Sequence, residues 1–88
     1  MIEFIDEPVG VDVQMHPDGT VIPLGFTWHT HHFKIGSWGR QRIGTHDGRR
    51  HHFYLVQTLD GDTWELGRDA ETAQWRLMRH WAVRHTMI

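Results

Sequence analysis

Tight-turn sequences recur along this 88-residue chain, and the segments between them alternate apolar and polar side chains. Proline fixes φ at the start of a turn, and glycine accepts the positive φ that many turns need. Alternation with a period of two is typical of a half-buried β-strand. The pattern therefore predicts an all-β fold, with turns at His16-Pro17-Asp18-Gly19, Asp47-Gly48 and Asp60-Gly61.

The strands can be placed from these turns. Residues 9–15 alternate, and residues 22–28 carry an apolar side chain at every second position. Pro23 has no N–H for a strand ladder, which predicts that this second run begins at a sheet edge. Further along, the sequence predicts a hairpin across Thr30 and His31 and a bulge or bend at residues 36–39. A two-residue hairpin is predicted at Asp60 and Gly61.

The last third of the chain allows two interpretations. Residues 69–73 predict one helical turn with Asp69 as its N-cap. Residues 75–83 alternate as in a strand, although Ala73, Leu77 and Trp81 also fit one face of a helix. The matches to a period of two are more numerous, so a strand through Trp81 is favoured.

We therefore predict a single domain over residues 1–88, with five to seven short, mostly antiparallel strands in a small, partly open barrel or a curled sheet. A chain of this length buries only about 60% of its unfolded surface. The five Trp and four Phe must then supply much of the core, because each buries more area than an aliphatic side chain. The predicted core residues are Phe26, Trp28, Ile35, Tyr54, Val56, Leu66 and Leu77.

Composition restricts the class of function. The chain has no cysteine, so disulfides, thiolate metal sites and cysteine nucleophiles are excluded. We expect a cytoplasmic protein without membrane contact, because the acidic N-terminus is unlike a signal peptide and no apolar run is long enough for a membrane helix. Ser37 lacks the nucleophile-elbow motif, and Glu65 and Asp69 match no acid–base pair. We therefore predict no enzymatic activity and no cofactor.

Charge is sorted along the sequence. Residues 1–24 hold five acids and no Lys or Arg, whereas residues 25–56 hold five Lys or Arg, one acid and six of the nine histidines. Successive thirds carry −5, +4 and −1, which sum to the net −2. Clustered charge raises the local potential. This predicts a surface for a protein partner, built from His29, His31, His32, Trp38, Arg40, Arg42, Arg49 and Arg50. Among the aromatic residues, exposure to solvent is most expected for Trp38.

Three alternatives remain open from the same residues. Interleaved aromatic and basic side chains can bind single-stranded nucleic acid, through stacked bases and paired phosphates. His29 and His31 share one face of a strand, and with His51, or with His32, His46 or His52, they are candidate ligands for a divalent metal, although no zinc motif supports them. A homodimer through an exposed strand edge is the third alternative.

An ordered set of motifs spans about residues 2–81. The motifs are Phe4-Ile5-Asp6-Glu7-Pro8-Val9, Pro23-Leu24-Gly25-Phe26-Thr27-Trp28, Phe33-Lys34-Ile35, Trp38, Arg50 to Thr58, Asp60-Gly61 with Trp64-Glu65-Leu66, and Trp75 to Arg79. In this order the chain resembles an uncharacterised bacterial family of small β domains, filed as a domain of unknown function. It also resembles the C-terminal module of inactive Y-family polymerase homologues from bacterial mutagenesis cassettes. That resemblance implies a non-enzymatic interaction module accessory to DNA damage tolerance or repair.

Overall fold

The computed structural model describes residues 1–82, which form a seven-stranded antiparallel sheet. The order across the sheet is β1-β7-β6-β5-β4-β3-β2. The predicted all-β class, with five to seven antiparallel strands, is confirmed. None of the described residues forms a helix long and apolar enough to cross a membrane. The strands are β1 (Ile2–Pro8), β2 (Gly10–Met15), β3 (Val21–Trp28), β4 (His31–His46), β5 (Arg49–Thr58), β6 (Thr63–Asp69) and β7 (Trp75–Trp81).

The sheet is open, with β1 and β2 as its two edges. Within residues 1–82 no ladder joins these strands to close a barrel. Val9 alone separates them along the chain, and its N–H donates to the Trp75 carbonyl at 3.2 Å. Among residues 1–82, both outer edges carry backbone groups without a ladder partner, and such edges can pair with another chain. The homodimer through a strand edge stays a prediction.

The long strand β4 serves two ladders in succession. Residues 31–34 pair with β3, and residues 35–46 pair with β5. Register shifts fall between Ile35 and Ser37 and between Trp38 and Gln41. They confirm the irregularity predicted at residues 36–39, because an extra residue on one strand bends it and re-aims its side chains.

Two hairpin turns have the geometry that a two-residue loop requires. His29 and Thr30 have φ of 50° and 62°, and Asp47 and Gly48 have φ of 51° and 73°. Positive φ at both central positions is the signature of a type I′ turn. The first hairpin was predicted one residue later, across Thr30 and His31, whereas Trp28 and His31 in fact form its closing pair.

The predicted two-residue hairpin at Asp60 and Gly61 is wrong. Residues 59–62 join β5 to β6, and Gly61 alone of these has a positive φ, at 96°. The Asp60 carboxylate accepts the backbone N–H of Asp62 at 3.2 Å. This side-chain turn replaces the positive φ that a two-residue loop would have imposed on Asp60.

The C-terminal third is a capped turn followed by a strand. Asp69 Oδ1 accepts the N–H groups of Glu71 and Thr72 at 2.8 and 3.1 Å, and Ala73 N–H donates to the Asp69 carbonyl at 2.9 Å. Asp69 is therefore the predicted cap, of a single turn with no helix after it. Strand β7 confirms the interpretation of residues 75–81, whereas Val83 lies outside the described residues.

Strand β3 begins at a sheet edge, as predicted from Pro23, and lies between two neighbouring strands only from Gly25 onward. It pairs with β2 on one side and with β4 on the other. The ladder with β4 begins at Gly25, so Pro23 precedes it and needs no N–H on that side. The missing N–H of Pro23 therefore restricts pairing at Pro23 itself and not along the rest of β3.

The core lies where the β3–β4 hairpin packs against β5, β6 and β7. Trp64 was not predicted for it, yet it is 2% exposed and contacts the rings of Phe26 and Phe33 at centroid distances of 5.2 and 4.8 Å. Trp28 is half-buried and packs at the rim. The other six predicted core residues are buried: Phe26, Ile35, Tyr54, Val56, Leu66 and Leu77.

Candidate functional site

The fold places N-terminal acids beside histidines. β1 and β2 lie against strands from the middle and end of the chain, which brings carboxylates beside imidazole rings. A carboxylate accepts a hydrogen bond from a neutral imidazole N–H and forms an ion pair with a protonated one. Four pairs approach within 3.2 Å: Glu3 with His80, Asp6 with His46, Glu7 with His29, and Asp12 with His32.

The predicted partner-binding residues do not share one face. Trp38 pairs with Val56 across the β4–β5 ladder, and Arg42 pairs with Phe53. Partners across a ladder share a face, and Val56 and Phe53 are three residues apart on β5, so they lie on opposite faces. The structure therefore separates Trp38 from Arg42 by the thickness of the sheet.

The three histidines of the first hairpin form a separate exposed group. His29 stacks on Trp28 with a centroid distance of 4.2 Å, and His31 contacts Phe33 at 4.5 Å. His32 Nε2 lies 2.9 Å from Asp12 Oδ2. Each ring therefore has a neighbour on the hairpin or on β2, away from the arginines of the later part of β4.

Trp38 is 46% exposed, which confirms the predicted exposure. Its indole N–H donates to the Pro23 carbonyl at 2.7 Å. This bond fixes the ring on β3 and satisfies its single donor. A role for Trp38 in binding a partner stays a prediction.

Arg49 and Arg50 point to opposite faces because they are adjacent on β5. Arg49 Nε donates to Asp69 Oδ2 at 2.6 Å, and Arg49 Nη2 lies 3.6 Å from Glu71. The Arg49 hydrogen bond, followed by the backbone N–H of Thr72, holds the pKa of Asp69 well below its usual range. Arg50 is exposed and makes no ion pair with a described residue. Of these two arginines, only Arg49 therefore forms ion pairs within the described part of the chain.

Arg40 and Arg42 lie together in a groove of about 270 Å³ on the outer face of β4–β7. We call it the arginine groove. Arg40 and Arg42 are two residues apart on β4 and therefore share a face, whereas the register shift between Trp38 and Gln41 leaves Trp38 on the other face. The groove is lined by Arg40, Arg42, Phe53, Leu55, Glu65, Arg79 and Trp81.

Glu65 lies at the base of the arginine groove and pairs with two of its arginines. Its side chain is 8% exposed, and Arg79 donates to both carboxylate oxygens at 2.9 Å. Arg42 Nη2 adds a longer contact of 3.4 Å. Hydrogen bonding to Glu65 raises the pKa of Arg79, so this guanidinium stays charged.

Both paired guanidinium groups also lie over aromatic rings. Arg42 Cζ is 4.1 Å from the Phe53 centroid, and Arg79 Cζ is 5.1 Å from the Trp81 centroid, within range of a cation–π contact. A Cβ on Gly44 would lie 2.8 Å from Arg42 Nη1 and 3.0 Å from Phe53 Cε2. Glycine at position 44 therefore leaves the room in which Arg42 stacks.

The predicted metal ligands His29, His31 and His51 are not brought together. His29 and His31 are exposed on the first hairpin, whereas His51 is 3% exposed and lines a cavity of about 750 Å³ near the β1–β2 junction. The donor group that the described residues do form consists of Asp6, His46 and Asp47, whose ligand atoms lie within 4.8 Å of one another. Arg76 donates to Asp6, and this hydrogen bond lowers the pKa of that carboxyl.

No protein-family model, curated protein or solved structure matches this chain. The two family resemblances therefore stay predictions.

Glu65, Arg79 and Trp81 are the groove residues that the sequence did not reveal. The sequence predicted no partner for Glu65 or Asp69, whereas Glu65 pairs with Arg42 and Arg79, and Asp69 pairs with Arg49. These partners come from other strands, 14 to 23 residues away. A usable signal was present in one case, because Arg79 and Trp81 are two apart on a predicted strand and must share a face.

Proposed function

We propose that this protein is a non-enzymatic interaction module that binds single-stranded nucleic acid in the arginine groove. The observation that carries the proposal is a pair of guanidinium groups stacked on aromatic rings, next to a third that is free. Arg40 is exposed and makes no ion pair with a described residue. Its charge is therefore available to a ligand.

The local charge of the groove suits an anion. Three guanidinium groups and one carboxylate leave a formal +2 in the groove, although the whole chain carries −2. The Glu65 carboxylate forms ion pairs with Arg42 and Arg79 beneath the surface. Phosphate binding depends on local Lys and Arg, so a neutral or acidic protein can bind nucleic acid through one basic patch.

The planar groups of the groove suit bases. Arg42 rests one face of its guanidinium on Phe53, and its side chain is 54% exposed, so the other face is open to a ligand. Unstacked bases pack on aromatic rings and on arginine planes with little regard to sequence. Leu55 and Trp81 add apolar surface at the same place. These features favour a single strand over a duplex, whose bases are already stacked.

Fluorescence anisotropy with a labelled oligothymidylate tests the proposal. We expect binding at 50 mM salt that weakens roughly tenfold at 200 mM, as the neutralisation of two to three phosphates requires. Arg40→Gln should weaken binding several-fold, because it removes the free cation. Arg50→Gln is the matched control, since it removes the same charge from the opposite face of β5 and should leave the affinity unchanged.

Three results would contradict the proposal. They are the absence of binding at 50 mM salt, an affinity that does not respond to salt, and equal losses in Arg40→Gln and Arg50→Gln. The last result would indicate diffuse attraction to the whole surface. A protein partner was expected from the clustered charge, and a role in DNA damage tolerance rests on the sequence resemblance; both stay predictions.

A further inference from the structure

Three possible metal-binding atoms, one imidazole nitrogen and two carboxylate oxygens, converge where β4 ends. His46 Nε2 lies 3.1 Å from Asp6 Oδ1 and 3.4 Å from Asp47 Oδ2. Asp6 comes from β1, whereas His46 and Asp47 come from the end of β4 and the following turn. The contact therefore exists only in the folded chain.

The spacing of these atoms matches the coordination shell of a small cation. Ligands bound tetrahedrally to Zn²⁺ at 2.0 to 2.1 Å are about 3.3 Å apart. An imidazole nitrogen with carboxylate oxygens is a set that zinc and neighbouring transition metals accept. The two separations from His46, 3.1 and 3.4 Å, bracket that value, and all three ligand atoms lie within 4.8 Å of one another.

His46 Nε2 is also a buried polar atom without a hydrogen-bond partner among the described residues. The two carboxylates are near it, but neither is aligned for a hydrogen bond with it. A buried nitrogen without a partner is destabilising unless something supplies one. A cation between the imidazole and the carboxylates would do so.

A second buried imidazole lies in the same cavity wall. His51 is 3% exposed, and its Nδ1 is 3.0 Å from the Arg49 carbonyl. A carbonyl only accepts, so Nδ1 carries the hydrogen and Nε2 of the neutral ring keeps its lone pair. A ring nitrogen that donates to a backbone carbonyl is the usual arrangement of a metal-binding histidine. The His51 and His46 centroids are 5.5 Å apart, and both rings line the cavity of about 750 Å³.

Arg76 completes the surroundings. Its Nε donates to Asp6 Oδ1 at 2.7 Å, and its Nη2 donates to the Asp6 carbonyl at 2.8 Å. Ligating carboxylates are commonly oriented by such a second hydrogen bond. With His46 and His51 neutral, Asp6, Asp47 and Arg76 leave a net −1 at the cluster, which is attractive to a divalent cation.

We propose that Asp6, His46 and Asp47 bind a first-row divalent cation, best represented by Zn²⁺, with the open coordination position beside His51. The site is independent of the arginine groove and does not rest on nucleic-acid binding. It differs from the histidine set expected from the sequence, because two of its ligands are carboxylates and one of those comes from β1.

Calorimetric titration of the untagged full chain with Zn²⁺ tests the proposal, with Co²⁺ absorption as a report on coordination. We expect one equivalent to bind and to raise the Tm. His46→Gln should weaken binding roughly 100-fold, and Asp47→Asn should weaken it less. His32→Gln is the matched control, because this exposed histidine also faces a carboxylate, Asp12, and should bind Zn²⁺ as the parent protein does.

The proposal is overturned if the parent protein takes up no Zn²⁺ at millimolar concentration, which would leave an imidazolium–carboxylate ion pair only. It is also overturned if His46→Gln and His32→Gln bind alike, which would indicate adsorption to surface histidines. Should His46→Gln fail to fold, Asp47→Asn decides, because Asp47 is 82% exposed in a turn and tolerates change. Unaltered Zn²⁺ affinity in Asp47→Asn would then refute the site.

Discussion

The arginine groove and the N-terminal strands both join carboxylates to cations, but at different depths. Glu65 is 8% exposed and accepts from Arg42 and Arg79, whereas Asp12 is 70% exposed opposite His32. Ion pairs open to solvent contribute little to stability, and breaking a buried pair is expensive because the remaining group loses its partner. The comparison teaches that burial, more than the number of pairs, determines which charges hold this fold together.

The largest expected effect comes from removing the buried carboxylate. Glu65→Ala should lower the free energy of unfolding by about 2–3 kcal/mol, because charge-assisted hydrogen bonds are lost from a partly buried site. Urea denaturation measures it. Glu7→Ala is the control, since Glu7 is half-exposed and has only long contacts, at 3.2 Å with His29 and at 3.3 Å with the Trp28 indole N–H, and it should change stability by less than about 1 kcal/mol. Equal losses of unfolding free energy in the two variants would contradict the conclusion that burial determines which charges stabilise the fold.

A smaller effect is expected from the Arg49–Asp69 pair at low pH. The folded-state pKa of Asp69 lies below the usual value, mainly through Arg49, so the folded state binds this proton less readily than the unfolded chain. The stabilisation is therefore fully present above about pH 4, the unfolded value, and is lost as the pH falls below it. Denaturation midpoints measured from pH 6 to pH 2 should fall more steeply in the parent protein than in Asp69→Asn. Parallel curves would show that Asp69 contributes nothing to acid sensitivity.

The smallest effect is expected at the exposed contact between Asp12 on β2 and His32 on β4. Asp12→Ala should change the free energy of unfolding by no more than about 0.5 kcal/mol, because solvent screens the contact with His32. Thermal unfolding in low and high salt measures it, and any difference should shrink as salt is added. A loss as large as that of Glu65→Ala would mean that exposure is a poor guide to energy here.

Local signals were sufficient where a property depends on neighbouring residues. Alternation predicted the strand through Trp81, and Asp47-Gly48 predicted a turn, because both depend only on period and on φ preference. Asp69 was recognised as a cap for the same reason. The type of the turn at Asp60 was predicted wrongly. The Asp60 side chain accepts the N–H of Asp62, so the same Asp-Gly sequence can form two different types of turn.

The candidate sites could be predicted only in part. Arg40 and Arg42 were expected to act together, and their spacing of two along β4 places them on one face. Trp38 was expected beside them, but the register shift between Trp38 and Gln41 leaves it on the other face, since one extra residue reverses the alternation of side chains. A bulge can be suspected from Gly36 and Gly39, yet its position within the ladder is set by the pairing with β5.

The sequence by itself determined the strand class, most turns and most of the core, because these follow from short-range periodicity and from the volume of apolar side chains. Tertiary structure alone decided which charges meet. Asp6 and His46 are 40 positions apart, and Arg42 and Glu65 are 23 apart. Such partners are fixed by strand order and register, which arise from the packing of the whole sheet and leave no mark on either segment read alone.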